Sequence, residues 1–156
     1  VQHPTQTMTA SQVAEYAMGN LRNPRSNQML SGCWAKLYRS ALSPSFPDLT
    51  TAEDMGMNFD YLKRCQSVRF IEDIVYHNRK RAGSLSTTFD EKNKPGLFGF
   101  LEALKYVEMF LCRYYNGFAL ERAIDNSKMY HAMLYFSRIC SQAGGNMRDT
   151  LRILYP

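Results

Sequence analysis

The chain has 156 residues, 45% apolar and 21% charged, a balance that fits one ordinary globular domain and excludes an intrinsically disordered segment. Its net charge of +5 admits an anionic partner, whether nucleic acid, acidic protein or membrane surface, without choosing among them. No apolar run approaches the roughly 18 residues that a spanning helix needs, because Glu102, Lys105, Glu108 and Arg113 interrupt the most apolar stretch; a soluble chain without a membrane span is expected.

Residues 1–8, VQHPTQTM, are polar with an early proline and predict a flexible arm, which leaves 9–156 as a single domain. The chain starts at Val1 with neither methionine nor an apolar signal segment, as a fragment, a processed mature form or a polyprotein product would. Thr9 and Gln12 have capping-box spacing, and Val13, Tyr16 and Ala17 follow as a short apolar stripe that stops before Asn23-Pro24. A second helix is predicted from Ser26 to Leu42, with Met29, Leu30, Cys33, Trp34, Leu37, Tyr38 and Ala41 inward and Pro44 and Pro47 beyond it. Trp34, the only tryptophan, reads as a core anchor.

Thr51 and Asp54 open a third segment, and Tyr61, Cys65, Val68, Ile71 and Val75 predict a long helix from Asn58 to Arg81. Its second apolar row is Phe59, Leu62, Phe70 and Ile74, and its cationic end, His77 to Arg81, suits a helix C-terminus. The polar stretch from Gly83 to Lys94 is the longest loop, of a kind that is usually functional or disordered.

Pro95 and Gly117 then bracket a helix with apolar side chains on every face. Leu97, Leu101, Leu104, Val107, Leu111 and Tyr114 form its stripe, and Phe98, Phe100, Tyr106, Met109, Phe110 and Tyr115 widen it, so it must be surrounded. A short helix from Phe118 to Ile124 follows. Asp125, Asn126 or Ser127 can cap a further one with Met129, Met133, Phe136 and Cys140 inward. Gly144-Gly145 stops that helix, and Asn146 with Asp149 starts a terminal one carrying Leu151, Ile153 and Leu154. No period-two pattern is convincing as a strand. The sum is an all-α single domain, a bundle of six or seven helices with a buried central helix near 95–116, packed chiefly on the helix from Asn58.

The strongest candidate contact surface is Arg79, Lys80 and Arg81 with Lys92 and Lys94 on the loop beyond, where cations can meet phosphates and release counterions. A solvated helix end whose charges merely complement the macrodipole explains the same cluster, and Asp90 and Glu91 dilute it. Arg113-Tyr114-Tyr115 and Tyr135 to Arg138 set aromatics beside cations, as base stacking requires, although alternation between core and surface does so too. Asp73 and His77 are four apart on a predicted helix and could share a metal if His131 supplied a third ligand; a surface ion pair is the plainer reading. No G-x-S-x-G, phosphate loop or C-x-x-C is present. Gly96 to Gly99 opens a helix without the lysine of a phosphate loop.

Four cysteines permit two disulfides in a secreted protein or four buried thiols. Cys33, Cys65 and Cys140 lie on core stripes, with Cys112 inside the apolar helix, which favours thiols. Ten Tyr, nine Phe and nine Met supply more contact surface than a minimal core needs, through an aromatic-rich core or an interface.

The missing catalytic motifs, the basic excess and the all-round apolar helix lead to the expectation of a non-enzymatic assembly or interaction protein, nucleocapsid- or coat-like. It would self-associate through apolar helix faces, contact single-stranded nucleic acid through Arg79, Lys80, Arg81, Lys92 and Lys94, and need no cofactor. Two alternatives stay open. One is a secreted bundle with two disulfides that acts as a protein ligand or recognition factor; the other is a small helical metal-binding protein or enzyme using Asp73 and His77.

Overall fold

The computed structural model describes residues 5–25, 29–49, 51–73, 76–77, 96–142 and 146. The first described element is a strand, β1 (Gln6–Thr9), whose last residue is also the cap of α1 (Ala10–Arg22). Thr9 leaves the strand in extended conformation. Its hydroxyl accepts the Gln12 N–H at 3.4 Å while its own N–H donates to Gln12 Oε1 at 2.9 Å, which closes the capping box. Val13, Ala14, Ala17, Met18 and Leu21 are buried along one face of α1, and Asn23 N–H ends the helix on Gly19 O at 2.9 Å. The expected first helix is therefore present, but part of the expected arm is a strand.

No helix forms between Met29 and Leu42 apart from one 3-10 turn, Ser40–Leu42. Two features override the helical spacing there. Gly32, a poor helix residue by about 1 kcal/mol, lies so close to the Trp34 indole that a Cβ at this position would collide with it. Ala35 adopts a left-handed φ of 56°. The carbonyl of Gly32 is taken by Asn58 Nδ2 at 2.9 Å and by Lys36 Nζ, so side chains hold the backbone that a helix would have paired internally.

The long helix expected from Asn58 to Arg81 is replaced by α2 (Glu53–Leu62) and a second strand, β2 (Ser67–Phe70). Helix α2 starts from Ala52 at φ 58° with no side-chain cap, Glu53 and Asp54 complementing its N-terminus instead. It stops at Leu62 although no breaker follows. Arg64 N–H and Cys65 N–H turn back onto Tyr61 and Leu62 carbonyls, and the Arg113 guanidinium takes the Lys63 carbonyl. Beyond that turn, Val68 and Phe70 alternate with Ser67 and Arg69, and the segment pairs antiparallel with β1 in the register Gln6↔Phe70, Thr7↔Arg69, Met8↔Val68 and Thr9↔Ser67. Phe70 buries its ring against Tyr16 of α1 at 5.8 Å.

The next helix is α3 (Gly96–Leu111), with Ala103, Leu104, Val107, Phe110 and Leu111 buried. It is the centre of the core, as expected, and α2 is its most extensive helical neighbour. The Phe110 ring lies 5.8 Å from Phe59 on α2 and 5.5 Å from Tyr114. Burial is not complete all round, since Phe98 and Met109 remain exposed.

Gly117, at φ 60°, turns the chain into α4 (Phe118–Gln142). This helix is continuous where two were expected. The reason lies in Asn126, whose amide donates 3.0 Å hydrogen bonds to the carbonyls of Leu21 and Arg22 and so finishes the end of α1 rather than starting a new helix. The described architecture is thus four α-helices around one core with a two-stranded antiparallel sheet at its edge, which corrects the six- or seven-helix all-α bundle. The terminal helix expected after Asn146 and the basic loop fall outside the described residues. Among the described residues no helix is long and apolar enough to cross a membrane.

Candidate functional site

Three surfaces carry the chemistry of the described residues. The first is a polar seam where segment 29–42 lies along α2. Asn58, 3% exposed, is its hub: it donates to Gly32 O at 2.9 Å and accepts the Tyr38 hydroxyl at 2.5 Å. Asp54 Oδ2 accepts the Cys33 N–H at 3.1 Å, and the Tyr61 hydroxyl accepts the Arg39 N–H at 2.6 Å. The rings of Tyr38 and Tyr61 meet edge to face at 5.1 Å. Burial, with the Asp54 carboxylate beside it, pushes the Cys33 thiol up to about 11. Burial likewise raises the Tyr38 phenol and lowers the Lys36 ammonium from their ordinary values. A thiol held that far above neutral pH is protonated and a poor nucleophile, so the seam fastens the segment rather than arming a cysteine.

An aromatic step rims this seam. Trp34 is 43% exposed rather than buried, stacks on Tyr76 at 5.4 Å and 23°, and has Lys36 Nζ 5.7 Å from its ring centre. The helix that would have turned Trp34 inward is absent. The consequence is an open, cation-flanked π surface.

The second surface is the basic end of α2. Asp60 pairs with Lys63 at 2.9 Å and Arg64 at 2.8 Å, and Arg64 also donates to Ser43 O at 3.3 Å. Arg113 is spent on the Lys63 carbonyl and stands 6.0 Å over the Tyr114 ring. Tyr114 packs on the core, so the expected Arg113-Tyr114-Tyr115 platform is mainly structural.

The third surface is the outer flank of α4. At 100° per residue, Phe118, Arg122, Asp125, Met129, Met133 and Phe136 fall within about 80° of arc, opposite the buried Leu120, Ala123, Ile124 and Ser127. Phe118 is 75% exposed, Met129 63%, Met133 65% and Phe136 45%. The expected inward stripe of this helix points to solvent. Ile139 is the buried residue of its C-terminal part, and His131 is half-buried against the Phe100 ring at 3.7 Å. Burial lowers the His131 imidazole below its ordinary value, while its Nδ1 meets the Ser127 carbonyl at 2.9 Å.

Arg79, Lys80, Arg81, Lys92 and Lys94 lie outside the described residues. Asp73 and His77 are not on a helix, which removes the four-residue spacing behind the metal reading, and His131 is occupied as above. Among the described residues no cluster of three metal-ligating side chains occurs. Gly99 abuts Thr51, so the start of α3 is closed by the chain itself. All four cysteines are free thiols; Cys112, just past the end of α3, is exposed, and Cys33, Cys65 and Cys140 are only partly buried, which corrects their expected place on core stripes. No protein-family model, curated protein or solved structure matches the chain.

Proposed function

We propose that the chain is a non-enzymatic assembly subunit, coat- or nucleocapsid-like, which associates with other copies through apolar helix surface and contacts single-stranded nucleic acid. The observation that carries the reading is the outer flank of α4, where Phe118, Met129, Met133 and Phe136 stand open on one side of a single helix. Large apolar side chains gathered in that way mark an interaction surface, whereas scattered ones do not. Met and Phe are also the adaptable and aromatic side chains that interface cores favour.

The nucleic-acid limb draws support from the +5 net charge, from Arg79, Lys80, Arg81, Lys92 and Lys94 in the sequence, and from the open Trp34 and Tyr76 stack with Lys36 beside it. Stacking on aromatic faces combined with phosphate contacts is how single strands are held without sequence readout. Light scattering with and without a single-stranded oligonucleotide, at low and high salt, tests both limbs. The expected result is a mass that rises with concentration, falls in Met133→Glu, and shows salt-sensitive oligonucleotide binding. A chain that stays monomeric and binds no oligonucleotide at low salt overturns the proposal.

A further inference from the structure

The outer flank of α4 holds two charges inside its apolar row, and their spacing gives the row a symmetry of its own. Phe118, Arg122, Asp125 and Met129 are all exposed and follow one another at intervals of four, three and four residues. The order apolar, cation, anion, apolar is complementary to itself only when reversed. From this we infer that α4 pairs with α4 of a second copy, antiparallel, about a two-fold axis between Glu121 and Asn126. In that register Phe118 of each copy lies opposite Met129 of the other, and Arg122 opposite Asp125.

The inference rests on the self-association proposed above and adds its partner, direction and register. A parallel pair is disfavoured because it sets Arg122 against Arg122 and Asp125 against Asp125, and like charges brought together across an interface cost affinity. The reversed pair meets both charges twice, as the isologous contact of a two-fold dimer requires. Asp125 already has Lys128 Nζ at 3.0 Å, but with its side chain 70% exposed that is a surface pair worth little, and the carboxylate can accept a second cation. Met133 continues the row past the start of the partner's α4 and so widens the contact.

The test is charge reversal read by sedimentation equilibrium on the whole chain, with circular dichroism confirming that the variants fold; both positions are exposed, so the fold is not at stake. Arg122→Asp and Asp125→Arg alone are each expected to weaken self-association by at least about tenfold. An equimolar mixture of the two recovers a heterodimer, and the double variant Arg122→Asp/Asp125→Arg recovers the homodimer. Single and double variants that match the wild type, together with a mixture that associates more tightly than it, indicate a parallel pair and overturn the inference. Unchanged association in both single variants refutes this register while leaving self-association standing; a wild-type chain that stays monomeric defeats both.

Discussion

Asn58→Ala tests whether the polar seam fastens segment 29–42. The substitution removes a donor to Gly32 O at 2.9 Å and an acceptor for the Tyr38 hydroxyl at 2.5 Å from a site that is 3% exposed. Leaving a buried polar group unsatisfied costs about 1–3 kcal/mol. Gly32 O keeps Lys36 Nζ, and Tyr38 is only partly buried, so neither orphan bears the full penalty. A net loss of about 2 kcal/mol follows, with Tyr38→Phe alone costing about 1 kcal/mol and the double variant less than the sum. Urea unfolding measures the loss. Hydrogen exchange locates it, with faster exchange expected in 29–42 and little change in α3. A loss below about 0.5 kcal/mol, or strictly additive effects of the two substitutions, would refute the seam as the fastening of this segment.

Alkylation of the native protein near pH 8 should modify exposed Cys112 well before Cys33, whose thiol is held at about 11; mass spectrometry of the peptides reads the order. Because the folded pKa of Cys33 exceeds its ordinary 9.0, its contribution to stability is intact below pH 9 and is lost as pH rises towards 11. A Cys33→Ala chain should show a flatter alkaline limb in thermal melts. Gly99→Ala forces a Cβ into the Thr51 backbone and hydroxyl and should destabilise by about 1–3 kcal/mol, while the same change at exposed Gly19, where a Cβ meets nothing, should not. If single-stranded nucleic acid stacks on the Trp34 step, oligonucleotide binding quenches the fluorescence of this sole tryptophan, and Trp34→Ala weakens binding more than Trp34→Phe does.

Local signals that act alone were legible in the sequence. The Thr9 and Gln12 box, the Asn23-Pro24 stop, the left-handed backbone of Gly117 and the burial of Leu104, Val107 and Leu111 could be anticipated from spacing and backbone chemistry, although Gly117 leads into α4 and is not the stop of α3, which ends at Leu111. Elements decided by distant partners could not. Val68 and Phe70 fit a helical row as well as a strand, and only pairing with Met8 and packing on Tyr16 select the strand. The Ser26 to Leu42 stripe was equally persuasive, yet Asn58 and Asp54 hold its backbone from another element. In α4 the periodicity was correct and the direction was not: Met129, Met133 and Phe136 share a face, but Leu120, Ile124 and Ser127 on the other side meet the core. Period alone does not say which side of an apolar helix is inward.

The strand pairing between residues 6–9 and 67–70 carries a consequence for the order of events during folding. Its partners are separated by roughly sixty residues, so the ladder closes a large loop, whereas α3 and α4 are joined by one short turn. Local contacts form early and distant ones late, which places the helical pair first and the sheet last. Until the ladder closes, β2 is a bare edge that could pair with the same strand of another molecule. Residues 6–9 thus act as a built-in guard, and their removal should show as concentration-dependent loss during refolding before any loss of helix.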